Sequence, residues 1–289
     1  MPRVAVPGGT GHFFSGYAEP PGRLGHVIPR LVASDLDGTL LRSDLTVSAR
    51  SVAALDRLDA DGIEFVMATG RPIRWLPAVF EQTGVRGPVV CANGAVIYDP
   101  DHDEILHRQS MPDGLVGEVV DSLRRELPDV VFAVETDHGR TMLSEAAWPS
   151  IADDITRRLV EYAELVAAPT VKLLARRPGA DPEEFRADAS KLLDGRAQVT
   201  GSSKQALIEI SAAGVTKASG LAWLAERAGI DPSEAVAYGD MPNDVPMLTW
   251  AGLGVAVANA HPAVLEVADE VTGSNDEDGV AVHLERLLS

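Results

Sequence analysis

The chain has few cysteines and few aromatic residues. Cys91 is the single cysteine among 289 residues, so no disulfide can form within the chain, as is usual in a reducing compartment. Aromatic residues make up 5% of the sequence, which argues against a surface that stacks nucleic acid bases. No apolar run approaches the ~18 residues of a membrane span, and the first residues lack a secretory signal pattern. We therefore expect a cytoplasmic protein.

Positive charge is also scarce. The 25 lysines and arginines face 43 aspartates and glutamates, which gives a formal charge of −18. Nucleic acids and anionic membranes would be repelled by this charge, so neither is expected as a partner. The seven histidines show no metal-binding spacing. The expected partner is a small molecule, and an anionic substrate would require local cations or a metal ion. The sequence leaves the oligomeric state open.

Residues 1–30 differ in composition from the rest of the chain. They hold six glycines and five prolines without sustained periodicity, which predicts a flexible N-terminal extension. The Gly8–Gly11 stretch does not continue into the Gly-Lys-Ser/Thr ending of a phosphate-binding loop. We expect deletion of residues 1–28 to change neither stability nor activity.

The most informative stretch is Leu31–Leu41. Its apolar run reaches two aspartates, Asp35 and Asp37, and then breaks at Gly38. A short apolar run that ends at a glycine is typical of a buried parallel strand. Buried strands rarely carry aspartate unless the strand end has a task for it, and ligands of open α/β sheets bind at the carboxyl ends of strands. The pattern predicts a paired-carboxylate site at the end of the first strand.

Two later strands also end in polar residues. The strand that begins at Ile63 ends at Thr69, and the strand 234–238 is followed by Asp240, Asn243 and Asp244. Lys217 begins a helix between them, and the stretch from Ile73 to Gln82 predicts another helix after the first of these two strands. Helices separate these strands, which predicts a doubly wound parallel α/β core whose strand ends converge at one edge.

The sequence between these motifs has a different pattern. Asn93-Gly94 predicts a hairpin turn, and helices and strands then alternate. The predicted helices lie near Leu115–Leu127, Ser150–Leu165 and Pro182–Leu193. We expect an inserted α+β cap at 88–211 within a core formed by 31–87 and 212–289.

Converging carboxylates repel each other unless a cation lies between them, and all-oxygen ligands favour Mg²⁺. A carboxylate can also accept a phosphoryl group and form an aspartyl-phosphate that water hydrolyses. The expected roles are nucleophile for Asp35, proton donor and acceptor for Asp37, phosphoryl hydrogen bonding for Thr69 and charge compensation for Lys217. Asp35, Asp240 and Asp244 would bind the metal ion.

These motifs resemble, in order, the four motifs of the haloacid dehalogenase-like (HAD) superfamily. The motifs are Asp35-Leu-Asp37-Gly-Thr-Leu, Ala68-Thr69-Gly-Arg71, Lys217 and Gly239-Asp240-Met-Pro-Asn243-Asp244. The Asn93-Gly94-Ala turn and the 273–279 tail are similar to the Cof-type phosphatases, whose cap is of the C2B kind. The resemblance implies hydrolysis of small phosphate esters, such as sugar phosphates and phosphorylated cofactors. It also implies that the backbone carbonyl of Asp37 is a further Mg²⁺ ligand.

Two positions depart from that pattern. Ala218 follows Lys217 where the family usually has glycine, and Val257-Ala258-Asn259-Ala260 stands where Met-Gly-Asn-Ala is common. Neither change removes a group with a chemical role, so we expect the reaction to be retained.

Four further residues are expected to contact the substrate: Gly70, Arg71, Asn93 and Asn243. Each has an alternative role. Arg71 could form a surface ion pair, Asn93 could act in a turn, and Asn243 could cap the next helix.

Two other functions share this residue set. A phosphosugar mutase uses the same aspartyl-phosphate chemistry but returns the phosphoryl group to a sugar. A receiver-like phospho-switch also combines acidic residues, threonine, lysine and Mg²⁺, but is much shorter and lacks the Asp-x-Asp spacing. The sequence favours a phosphatase and does not identify its ester.

Overall fold

The computed structural model describes residues 28–85, 87–149, 156–201 and 206–289. The predicted extension at 1–30 therefore lies outside the described residues, apart from its last three positions. The strands are β1 Leu31–Ser34, β2 Glu64–Met67, β3 Val89–Cys91, β4 Val96–Asp99, β5 Glu104–Arg108, β6 Val131–Thr136, β7 Thr141–Ser144, β8 Arg157–Leu159, β9 Lys172–Arg176, β10 Ala197–Thr200, β11 Leu207–Ala212, β12 Ala235–Gly239, β13 Leu253–Ala256 and β14 Glu270–Val271. The helices are α1 Ala49–Ala60, α2 Pro77–Thr83, α3 Leu115–Glu126, α4 Tyr162–Ala167, α5 Pro182–Leu193, α6 Lys217–Ala228, α7 Val245–Trp250, α8 Pro262–Leu265 and α9 Gly279–Leu287.

A five-stranded parallel sheet carries the site. Its strand order is β14-β13-β12-β1-β2, and every pair is parallel. This confirms the predicted α/β core. Strand β1 lies between β12 and β2, so the residues that follow these three strands meet at one edge of the sheet. Asp35, Thr69 and Asp240 are the residues concerned.

The helix that carries Lys217 begins at a well-defined cap. The Thr216 side chain accepts a hydrogen bond from the Ser219 backbone N–H, and Ser219 reciprocates, so the first turn of α6 is fixed. Gly229 ends the helix in the left-handed conformation, at φ 63°. Lys217 is the first residue of α6 and is fully buried, so the cap determines where its side chain enters the core.

A second layer is built on a six-stranded mixed sheet of order β10-β11-β9-β6-β7-β8. Its strands pair antiparallel except for β7 and β8. Helices α3 and α5 cover this sheet and share a hydrophobic cluster with it. The segment between β2 and β12 in the chain therefore contains the mixture of helices and antiparallel strands that the sequence predicts for the insertion.

The hairpin predicted at Asn93-Gly94 is confirmed, with β3 and β4 antiparallel. Its apolar residues pack in the same cluster as the parallel sheet. Gly94 has a φ of +100°, and a Cβ there would lie 2.0 Å from the Thr216 carbonyl oxygen. A side chain cannot be accommodated, so glycine lets the hairpin turn lie against the start of α6.

Two predicted helices differ from the structure. The prediction of helix over Ser150–Leu165 is wrong at Arg157–Leu159, which forms β8 beside β7, and α4 begins only at Tyr162. Residues 150–155 lie outside the described ranges. The predicted helix from Ile73 to Gln82 is divided into a 3₁₀ turn at Ile73–Trp75 and α2. Pro77 begins α2 because proline lacks the N–H that a continuous helix would require.

Within the described ranges, no helix is long and apolar enough to cross a membrane.

Candidate active site

The centre of the site is a buried ammonium group between two carboxylates. Lys217 Nζ donates to Asp35 Oδ1 at 2.5 Å and to Asp244 Oδ1 at 2.6 Å. Lys217 and Asp244 are fully buried, and Asp35 is 5% exposed. Burial opposes the charged form of Lys217, but the carboxylates of Asp244 and Asp35 outweigh it and raise the lysine pKa. Lys217 is therefore an ammonium ion at neutral pH.

Asp240 is the third carboxylate of this cluster. Burial, assisted by repulsion from Asp244, raises the pKa of Asp240 to about 7. Burial also raises the pKa of Asp35 well above its usual range, although the Lys217 charge acts in the opposite direction. Thr39 holds Asp240 in place by donating to Oδ1 at 3.0 Å. The cluster carries more negative charge than its surroundings compensate.

These three carboxylates fit a metal ion. One oxygen each from Asp35, Asp240 and Asp244 lies within 4.8 Å of the other two. When all three carboxylates are ionised, the single ammonium leaves two negative charges, which one divalent cation would neutralise. The donor atoms are all oxygens, as hard cations require. The buried acidic group can therefore hold a metal ion.

Asp37 lies outside this buried cluster, and its carboxylate is held by Arg71. Arg71 donates from Nε to Asp37 Oδ2 at 2.8 Å and from Nη2 to Oδ1 at 2.6 Å. The Arg71 side chain is 14% exposed and that of Asp37 is 48% exposed, so this is a half-buried bidentate pair. The structure thus brings the two residues together in an ion pair at the site.

Thr69 is fully buried, and its hydroxyl oxygen accepts a hydrogen bond from the Arg71 backbone N–H at 3.0 Å. Its own backbone pairs with β3 and the hairpin turn, because Thr69 N–H donates to the Val90 carbonyl and Asn93 N–H donates to the Thr69 carbonyl. Gly70 follows, and a Cβ there would lie 3.1 Å from Asn93 Oδ1. The segment after β2 is therefore held firmly against the hairpin.

Asn93 and Asn243 belong to one chain of buried hydrogen bonds that reaches the second sheet. Asn243 Nδ2 donates to Asn93 Oδ1 at 3.1 Å, and Asn93 Nδ2 donates to Glu209 Oε2 at 2.8 Å. Glu209 also accepts from Lys172 Nζ at 2.5 Å, and Lys172 donates to the Gly70 carbonyl at 2.6 Å. Because an ionised glutamate only accepts, it fixes the orientation of both amides. Asn243 thus contacts the hairpin turn through its side chain.

The C-terminal tail supports the turn that follows Asp37. Asn259 donates to the Gly38 carbonyl at 2.8 Å, and Asn275 donates to the Leu41 carbonyl at 2.9 Å. Gly38 has a φ of +80°, and a Cβ there would lie 2.5 Å from Asp240 Oδ2. Glycine at this position therefore allows the turn to approach the third carboxylate.

A cavity of about 190 Å³ lies between the two sheets. Five of the predicted site residues line it: Asp35, Asp37, Gly70, Arg71 and Asn243. The second sheet and the loop after β7 contribute Glu135, Met142, Trp148, Lys172, Leu174, Leu207 and Glu209. The other predicted site residues do not line it: Thr69, Asn93, Lys217, Asp240 and Asp244.

A family model of haloacid dehalogenase-like hydrolases matches residues 32–284. This chain belongs to that family. Among HAD-like relatives, a 5-amino-6-(5-phospho-D-ribitylamino)uracil phosphatase of Bacillus subtilis is 32% identical, with 90% of this chain and 98% of the relative covered. A second phosphatase of B. subtilis is 31% identical, with 90% and 100% covered. A solved HAD phosphatase from Bacteroides thetaiotaomicron has a TM-score of 0.77 and 27% identity, and the match covers 93% of this chain and 99% of that one.

The sequence analysis does not predict some residues of this HAD-like site. Lys172 and Glu209 line the cavity, and Glu135 pairs with Arg74 of the 3₁₀ turn that follows β2. Each lies among apolar neighbours in a strand or turn and is almost fully buried. A charged residue within an apolar strand is the signal that could have found Lys172, Glu209 and Glu135, although the sequence does not show which partners compensate them.

Proposed function

We propose that this chain is a Mg²⁺-dependent phosphatase that hydrolyses small phosphate monoesters through an aspartyl-phosphate on Asp35. The observation that carries the proposal is the position of the Asp35 carboxylate. It lies at the end of β1, contacts Lys217, and faces the cavity beside two further carboxylates. These groups at one sheet edge would supply a nucleophile, a charge-compensating ammonium and a metal-binding set.

The proposed reaction has two steps. A carboxylate oxygen of Asp35 attacks phosphorus, and the bond from phosphorus to the leaving-group oxygen breaks as Asp37 donates a proton to that oxygen. Asp37 then takes a proton from water, which attacks the phosphorus of the aspartyl-phosphate and releases inorganic phosphate and free Asp35. The contact with Arg71 would hold Asp37 beside the cavity, and one carboxylate oxygen must leave the guanidinium before it can carry the proton that Asp37 donates.

The remaining residues support the phosphoryl group. Lys217 offsets the charge that Asp35 and the phosphoryl oxygens bring together. Thr69 would donate a hydrogen bond from its hydroxyl group to a phosphoryl oxygen. Further contacts with the substrate would come from Gly70, Arg71, Asn93 and Asn243.

Mg²⁺ would be held by Asp35, Asp240, Asp244 and the backbone carbonyl of Asp37. When bound, it would neutralise developing charge on the phosphoryl oxygens. The all-oxygen donor set and the residual charge of the cluster support this choice of ion.

The substrate class is proposed by similarity. The relative with 32% identity is named as a 5-amino-6-(5-phospho-D-ribitylamino)uracil phosphatase. Sugar phosphates and phosphorylated cofactors are monoesters of the same kind. We place the core at 31–87 and 212–289, and a cap at 88–211 that shields the reacting group from water. The hairpin at the start of this cap packs on the core cluster and would link the two parts. A cytoplasmic location fits a small-metabolite phosphatase.

The nucleophile is tested with Asp35→Asn. Phosphate release from a panel of sugar phosphates, nucleotides, pyridoxal phosphate and flavin mononucleotide should fall by about 10⁴-fold or more, with unchanged circular dichroism. Asp56→Asn, on the exposed face of α1, is the matched control and should retain full activity. A variant of Asp35 that keeps its rate would exclude the assignment. Isomerisation that exceeds phosphate release would instead indicate a mutase.

The metal ion is tested by chelation. EDTA should abolish phosphate release and Mg²⁺ should restore it, because the carboxylate cluster cannot accept a phosphoryl anion without a cation. Activity that is indifferent to EDTA would contradict the metal role.

A further inference from the structure

The second sheet forms one wall of the cavity. Along β9 this wall is first charged, at Lys172 and Glu135, and then apolar, at Leu174. Lys172 and Leu174 point to the same face of β9 because side chains alternate along a strand. Lys172 pairs in register with Glu135, and its Nζ contacts the Gly70 carbonyl of the parallel-sheet layer. Leu174 pairs with Ala133, about 6.6 Å farther along the strand. A leaving group that extends from Asp35 would therefore pass charged residues first and then meet an apolar wall.

The charges at this cavity leave no place for a second anion. Among the described residues that line it, the basic side chains are Arg71 and Lys172. Arg71 is bound to Asp37, and Lys172 to Glu209. Glu135 also faces the cavity and is paired with Arg74. The cations at the described lining are thus already engaged by carboxylates, which favours an uncharged leaving group over one that carries a second phosphate or a carboxylate.

The apolar wall suits a flat ring. Met142, Trp148 and Leu174 form a small buried cluster with Ala133, and Leu207 packs against it. The side chains of Met142, Trp148, Leu174 and Leu207 line the cavity, and among these four only the Trp148 indole N–H can donate a hydrogen bond. Sugar hydroxyls placed against this wall would lose hydrogen bonds to water without replacement. A planar apolar ring would lose none and could stack on the indole.

The volume of the cavity fits a small ring. The cavity of about 190 Å³ is not much larger than the ~150 Å³ cavity that holds benzene in an engineered protein. Resting on the proposed phosphatase function, we infer that the preferred substrate is a phosphate monoester with an uncharged leaving group that ends in a single planar ring packed against Trp148.

A matched set of esters tests this inference. The probes are 3-phenylpropyl phosphate, its para-carboxylate analogue, and glucose 6-phosphate. We expect kcat/KM for 3-phenylpropyl phosphate to exceed that for glucose 6-phosphate by about tenfold and that for the carboxylate analogue by about 100-fold. Equal or higher kcat/KM for either competitor would overturn the inference.

Trp148→Leu tests the wall itself. It should raise KM for 3-phenylpropyl phosphate about tenfold with little change in kcat, and leave glucose 6-phosphate unaffected. Trp223→Leu, a tryptophan of α6 that does not line the cavity, should change neither. Parallel losses for both esters in Trp148→Leu would contradict the ring assignment, and the wild-type comparison decides the question if this variant does not fold.

Calorimetric binding to Asp35→Asn separates the two proposals. Absence of hydrolysis of every ester would refute the proposed function. Tighter binding of 3-phenylpropyl phosphate than of glucose 6-phosphate would still support the inferred leaving group, and the reverse order would refute it.

Discussion

Arg71 holds the carboxylate of Asp37 by two hydrogen bonds, at 2.8 and 2.6 Å, although 34 positions separate the two residues. This pairing gives Arg71 a specific task beside the cavity and explains the choice of arginine. A guanidinium matches both carboxylate oxygens at once, whereas an ammonium group does not.

Arg71→Ala should therefore lower kcat/KM by about 100-fold, because Asp37 loses the group that orients it for proton transfer. Arg71→Lys should recover little of this loss, since lysine cannot form the bidentate contact. Steady-state kinetics on the best ester of the panel measures both. Arg57→Ala, which removes an exposed ion pair with Asp61 on α1, is the control and should have no effect. Full activity of Arg71→Lys would show that only charge matters here.

Replacement of the buried ammonium should destabilise the protein. Lys217→Met leaves Asp35, Asp240 and Asp244 without their internal cation, and we expect a loss of about 3–5 kcal/mol in the free energy of unfolding in EDTA. Added Mg²⁺ should restore more stability to the variant than to the wild type, because the uncompensated charge is larger. Thermal melts with and without Mg²⁺ measure this. An equal response of both proteins would mean that the Lys217 charge does not affect binding of the cation, and no response in either would mean that the cluster does not bind it.

Substitutions of Lys172 and Glu209 should have non-additive effects on the free energy of unfolding. Glu209→Leu leaves the Lys172 ammonium buried without its carboxylate, and we expect a loss of about 3–5 kcal/mol. The double variant Lys172→Met, Glu209→Leu should be more stable than Glu209→Leu alone, because no charge is then left unpaired. Urea unfolding of the wild type, Lys172→Met, Glu209→Leu and the double variant gives the coupling energy between the two residues. Additive losses would show that the two residues act independently.

Glu64 on β2 should make stability depend on pH. Burial, with repulsion from Asp59, raises the pKa of Glu64 to about 7 from an ordinary value of 4.5. The folded state therefore favours the protonated carboxyl group. This contribution is fully present below pH 4.5 and is lost as pH rises through about 7, so the free energy of unfolding should decrease across that window. In Glu64→Gln this decrease should be smaller.

Urea unfolding at several pH values measures the effect, and the exposed Glu81→Gln is the control. If the pH dependence of Glu64→Gln matches that of the wild type, Glu64 is not the group that titrates.

Some secondary structure was predictable because local patterns dominate it. Helix α5 lies at Pro182–Leu193 as expected, since Asp181 caps it and Pro182 suits its first turn. The strand at Arg157–Leu159 was missed because its conformation depends on pairing with β7. Arg157 donates to Ser144 Oγ at 2.8 Å, a contact that no local pattern contains.

The sequence by itself determined the parallel core and the residues that end its strands. Apolar runs that stop at Asp35, Thr69 and Asp240 follow from the period of buried strands, and parallel pairing places their ends on one edge. The roles of these residues remain proposals, supported by the family match over residues 32–284.

Only the tertiary structure decided how charges are compensated and what the cavity can accept. The partner of Arg71 is Asp37, and Lys172 lies between Glu209 and the Gly70 carbonyl. Such pairings depend on distances of a few ångströms between residues far apart in the chain. A sequence specifies that a charge is buried in a strand, but the neighbouring strands and loops determine which group pairs with it and which surface it leaves for a ligand.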